Sequence, residues 1–124
     1  MSVTTPPSKL AALIAQEEGF GIPGAIPTTH HNPGDLLHSP HSFHLPDAPD
    51  AVGEIDSDAD GWADLERQLQ LFADRGLTIE QAITEYAPPS ENDTAAYIAF
   101  VCKGLGCTPD TTVAQALTIQ ETPA

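Results

Sequence analysis

The 124-residue chain is poor in positive charge: Lys9, Arg67, Arg75 and Lys103 stand alone against eighteen Asp and Glu, a formal net charge of −14. Four scattered cations cannot form the basic patch that a DNA or RNA backbone demands, and an anionic membrane surface is excluded on the same ground. Long apolar runs are missing as well. No stretch approaches the ~18 residues of a membrane span, and Met1 to Pro7 lack the basic start of a secretory signal, with Leu10 to Ala15 too short for its apolar part. Export by the ordinary secretory route is not expected. Cysteine is scarce, with only Cys102 and Cys107. They sit five apart, so they either close a small loop or remain thiols, and their number does not fix the redox compartment.

What is present suits one small core, since 13.1 kDa is the size of a single domain and 40% of the residues are apolar. Ser8 can cap a helix through Glu18 that carries Leu10, Leu13 and Ile14 on one face and stops at Gly19. From Gly19 to Ile55 the prolines at 23, 27, 33, 40, 46 and 49 interrupt every helical period. That stretch reads as an irregular lobe with a short β-hairpin at most, and a loop of that length in a small domain usually serves function. Beyond it Trp62, Leu65, Leu69 and Phe72 mark an amphipathic helix up to Arg75 and Gly76. Thr78 and Gln81 form a capping box for a helix with Ile79, Ile83 and Tyr86, ended by Pro88 and Pro89. Asn92 or Asp93 starts the next, bearing Tyr97, Ile98, Val101 and Leu105 and broken by Gly104 and Gly106; Asp110 starts a last one with Val113 and Leu117. The expected fold is a mainly α single domain over 1–124, with 1–7 and 119–124 flexible.

Two acids carry the main chemical signal. Glu17 and Glu18 end the first helix beside Gly19 and Phe20, where a carboxyl is partly desolvated and meets the negative end of the helix dipole. Both effects keep it protonated near neutrality, the state that a general acid requires.

The residues around that pair carry a resemblance. ALIAQEEGFGIPGAIPTTHHNPGDL (12–36), DGWADLERQL (60–69) and LTIEQAITEYAPPSENDTAAYIAFVCKGLG (77–106) together span roughly three quarters of the chain. The pattern is similar to the small lysozyme-like phage and bacterial proteins related to lytic transglycosylases. They share a Glu-Gly-Phe at the end of the first helix, an Asn-Asn-Pro-Gly-Asn turn, an Asp-Gly-Trp helix start and an Ala-Pro-Pro-x-Glu-Asn motif. This chain has His31 and Asp35 where the turn carries amides. The resemblance implies a lysozyme-like fold and cleavage of the β-1,4 glycan backbone of peptidoglycan, with Glu18 as the acid, in a phage virion or after release from a host cytoplasm to the cell wall.

In a transglycosylase Glu18 would then serve as base on the 6-hydroxyl of the sugar. A hydrolase needs a second carboxylate, for which Asp35 is the candidate. His31 and Asn32 would face the same cleft as substrate-binding residues, although Asn32 to Asp35 are also simply good turn formers. Tyr86, at a helix end, could line the cleft and stack on sugar. Glu91 and Asn92 either border it or only start a helix. A non-catalytic glycan-binding or virion structural module with the same fold is the alternative function.

Two motifs suggest metals. His30, His31, His38, His41 and His44 fall within fifteen residues, but their spacing does not match a helical zinc site, so a metal-dependent peptidase is a weaker reading than loop histidines titrating near neutrality. Asp56, Asp58, Asp60 and Gly61 repeat the opening of a calcium loop, yet Arg67 stands where the bidentate Glu belongs. A structural calcium and a plain helix start both fit these acids.

Overall fold

Each main helix starts where the sequence supplies a side-chain acceptor for its unpaired amides. In the computed structural model, which describes residues 7–44, 46–47 and 52–119, α1 (Lys9–Glu18) is capped by Ser8 Oγ accepting from the Ala11 amide at 3.1 Å. It ends at Gly19, whose φ of 95° lets the Phe20 amide turn back to the Ala15 carbonyl. The Ser8 hydroxyl also donates to Glu66 at 2.6 Å, which ties the start of α1 to α3 (Asp58–Asp74).

Within the irregular lobe a single helical turn, α2 (Ile26–Thr29), appears where no helix was expected. Pro27 lies in its first turn, where the missing N–H costs nothing. The hairpin reduces to one antiparallel bridge, Phe43 with Glu54, and the described residues contain no sheet.

Ser57 caps α3, so the helix begins within the acidic run itself and Asp58 and Asp60 occupy its favourable first turn. The capping box of Thr78 and Gln81 opens α4 (Ile79–Tyr86), and Asp93 caps α5 (Thr94–Leu105). The last helix, α6 (Val113–Leu117), corrects one expectation: Thr112 and Gln115 form its capping box, not Asp110. A Thr78–Thr112 bridge sets the starts of α4 and α6 side by side.

Gly104 also departs from expectation, because it lies inside α5 rather than breaking it. A Cβ there would come within 2.6 Å of Leu13 Cδ2, so glycine is what lets α5 approach α1 so closely. The core between these helices holds Leu10, Leu65, Leu69, Ile79, Val101 and Val113, each at most 2% exposed. Cys102 and Cys107 are free thiols, the former buried against this core. Ile119 packs partly buried against the same core instead of fraying, while the flexible ends expected at 1–6 and 120–124 lie outside the described residues.

The lobe is seated on α3 at Gly61. A methyl group at that position would strike the His31 carbonyl oxygen and the Pro33 ring, so the lobe backbone lies directly on the helix.

Candidate active site

Where α1 ends, its last side chain meets both the helical body and the lobe. A cleft of about 540 Å³ opens there, lined by Glu18 from α1, Gln68 and Phe72 from α3, Glu85 and Tyr86 from α4, and Glu91 and Asn92 from the α4–α5 connection. Gly34 to His38, with Val52, form the lobe wall. A volume of this order suits a small-ligand or glycan site.

Glu18 is half-buried, and Tyr97 of α5 donates its hydroxyl proton to Oε2 at 2.7 Å. Burial pushes the Glu18 carboxyl above the usual range; the Tyr97 hydrogen bond pulls it down, while Asp35 and Glu17 push it up again. The net direction is up. Burial raises Asp35 too, against the opposing pull of His30. Both carboxyls are thus biased toward the protonated form, and the charge of Asp35 disfavours ionisation of Glu18. Tyr97 occupies Oε2, which leaves Oε1 without a hydrogen bond from the described residues.

The turn that delivers Asp35 is held by two devices. Asn32 is fully buried: its amide donates to the carbonyls of Leu36 (2.8 Å) and Gly53 (2.9 Å), and its Oδ1 accepts from the Leu36 amide at 3.0 Å. Tyr86 donates its hydroxyl to the Gly34 carbonyl. His31 and Asp35 both take left-handed backbone with φ of 53°, a strained choice outside glycine, and these ties hold them there. One oxygen of Asp35, Oδ1, is buried with no partner among the described residues.

Five of the seven expected site residues therefore line one cleft: Glu18, Asp35, Tyr86, Glu91 and Asn92. The other two do not. Asn32 is spent on backbone and has no exposed surface, so its role is to shape the turn; His31 points away and bonds Asp58 at 2.7 Å. Phe20 is not among the residues that line the cleft; its ring packs edge-on against Trp62 at 5.3 Å. Tyr97, which its helical spacing assigns to the core, is buried and still reaches Glu18 with its hydroxyl. Gln68 and Glu85 carry no local signal in the sequence, whereas His38 reaches the cleft wall as one of the clustered histidines.

The acidic run does not form a cage. Asp58 faces His31 and Asp60 lies 3.9 Å from His41. Among the described residues no group of three or more His, Cys, Asp or Glu converges as metal ligands would. The histidines make separate contacts: the rings of His38 and His44 lie 4.7 Å apart and tilted by 47°, and His41 bonds the buried Asp64 at 2.5 Å.

No protein-family model, curated protein or solved structure matches the chain.

Proposed function

We propose that the protein cleaves the β-1,4 glycan backbone of peptidoglycan, as a lytic transglycosylase or a muramidase, with Glu18 as general acid and base. The observation that carries this reading is a half-buried carboxyl with a raised pKa, oriented by Tyr97 at the edge of a cleft that also holds Asp35.

Bond cleavage requires a proton on the leaving oxygen, and in this reading Glu18 gives it from Oε1, the oxygen that Tyr97 does not bond. Once ionised, Glu18 is stabilised by the Tyr97 hydroxyl and can accept a proton from the attacking group. If that group is the 6-hydroxyl of the same sugar, Glu18 suffices and a 1,6-anhydro end forms. If it is water, Asp35 is the carboxyl available to support the second half of the reaction.

The test is digestion of purified cell walls with wild type, Glu18→Gln and Glu17→Gln, with muropeptides read by mass spectrometry. Glu18→Gln should abolish release while Glu17→Gln, at an exposed neighbour, releases products near the wild-type rate. Anhydro ends identify the transglycosylase and reducing ends the hydrolase. A wild type that binds walls but releases nothing would establish the non-catalytic glycan-binding module instead.

A further inference from the structure

Cys102 and Cys107 take no part in the cleft, and the turn that ends α5 brings them together. Gly106 follows the helix with φ of 71°, and this left-handed turn folds the chain back so that the amides of Gly106 and Cys107 both donate to the Cys102 carbonyl, at 2.8 and 3.0 Å. The residue after such a glycine commonly packs its side chain on the last turn of the helix, and here both positions are cysteine. The backbone bond also limits their separation. Covalent geometry fixes the spans from Cα to carbonyl oxygen and from amide nitrogen to Cα, so an N···O distance of 3.0 Å keeps the two Cα atoms within about 6.9 Å at full stretch, and any bend at either atom brings them closer. A disulfide needs about 4.4–6.8 Å. The thiols also influence one another: burial, and after it the neighbouring Cys107, pushes the Cys102 thiol up to about 11.

We propose that Cys102 and Cys107 form a redox-modification site, a reversible intramolecular disulfide that clamps the end of α5 and is made by exchange with a small disulfide such as oxidised glutathione. The inference is independent of the glycan reading. Access sets the order of the steps, since Cys107 is partly exposed and Cys102 is buried. The Cys107 thiolate attacks one sulfur of the glutathione disulfide, forming a mixed disulfide and releasing one glutathione thiolate. Cys102 then gives its proton to solvent and attacks the Cys107 sulfur, releasing the second glutathione. The protein loses two electrons and two protons, and the S–S bond of the reagent is reduced to two thiols. Because burial disfavours the Cys102 thiolate, the second step is the slow one and speeds up as pH rises. The closed bond removes conformations from the unfolded chain while spanning a turn that the folded chain already makes.

The test incubates the folded protein with oxidised glutathione at pH values from about 7 to 9, blocks remaining thiols by alkylation in denaturant, and reads intact mass and tryptic peptides. Lys103 lies between the cysteines, so trypsin yields one peptide ending at Lys103 and another starting at Gly104. The oxidised protein should be a monomer without alkylation or glutathione, with these two peptides joined until dithiothreitol separates them. It should melt about 5 °C or more above the reduced protein. Cys102→Ala should stop at the mixed disulfide on Cys107, and Cys107→Ala should leave Cys102 unmodified; the wild-type result does not depend on either variant folding. Wild type that ends as stable mixed disulfides, cross-linked dimers or unchanged thiols overturns the site. A linked protein that melts no higher than the reduced one overturns the clamp.

Discussion

Replacing Tyr97 by Phe removes one hydroxyl while keeping the ring that fills the space between α1 and α5. The lost interaction is a 2.7 Å hydrogen bond donated to Glu18 Oε2. Hydrogen bonds to charged groups contribute ~1.5–3 kcal/mol, and the lower end applies because Glu18 is half-buried and faces an open cleft. Losing that donor should push the Glu18 carboxyl further up. In the proposed reaction Glu18 acts as acid only when protonated, so the alkaline limb of wall lysis should move to higher pH, even as the maximal rate falls through looser orientation.

Stability follows with a definite sign. A carboxyl whose folded pKa lies above its unfolded value holds its proton more tightly in the native state, so stability declines as pH rises from about 4.5 toward the folded value. Tyr97→Phe widens that window and should cost more near pH 7 than near pH 4. Asp35→Asn works in the opposite direction: it removes a repulsion, lowers the Glu18 pKa and moves the alkaline limb down. Carbon NMR of labelled Glu18 reads both shifts without reliance on turnover. A Tyr97→Phe carboxyl that titrates at or below the wild-type value would refute the assignment of this hydrogen bond as the force that holds the anion.

Asn32→Ala should destabilise by about 3 kcal/mol or more, because it strands the Leu36 and Gly53 carbonyls and the Leu36 amide in a buried turn; urea denaturation measures it, and a cost under about 1 kcal/mol would remove Asn32 as the organiser of the lobe. Gly61→Ala should cost several kcal/mol or displace the lobe, since the added methyl meets the His31 carbonyl, and a neutral melt would show that α3 and the lobe are less closely seated. His41 provides a pH test. Its pKa is raised chiefly by the hydrogen bond to Asp64, so its contribution is complete below about pH 6.5 and fades as pH climbs through the raised value. Burial pushes Asp64 up, but donation from Ser39 and His41 outweighs it and holds the carboxyl low, so its contribution fades only in acid. Protection of the 39–44 segment against amide exchange should therefore peak at mildly acidic pH, and His41→Asn should flatten the alkaline side of that peak.

The helices were largely legible because their signals are local. Ser8 with Gly19, Thr78 with Gln81, and the 3.6-residue rhythm of Trp62, Leu65, Leu69 and Phe72 each act over a few residues and define an element directly. Asp110 misled because a capping acid was chosen two positions before a box, Thr112 with Gln115, that satisfies two amides reciprocally. Gly104 misled because glycine weakens an isolated helix, whereas here it meets Leu13 from a helix some ninety residues away.

The site divides along the same line. Glu18, Tyr86, Glu91 and Asn92 stand at helix boundaries, where side chains commonly border clefts, and they were found. Tyr97 was read as core from its spacing, which is correct for its ring and silent about its hydroxyl. Asn32 and His31 share a short turn with Asp35, and nothing in their order says which side chain turns inward to bind backbone, which bonds a helix and which reaches the cleft.

The two walls of the cleft are built in different ways. The helical wall rests on a shared apolar core, whereas the lobe wall depends on a few polar hubs: Asn32 beneath the turn, Asp64 receiving Ser39 and His41, and the Phe43–Glu54 bridge. Such hubs are expected to unlatch together without disturbing the core, which predicts that the lobe is a separate cooperative unit with its own, smaller opening free energy. Amides bonded within it, at Leu36, Gly53 and Glu54, should exchange through this partial opening, while those of Leu69 and Val101 wait for global unfolding. Under the proposed glycan-cleaving function, a wall that lifts by itself would admit the strand sideways at an interior bond, and cleavage would not need to begin from a chain end.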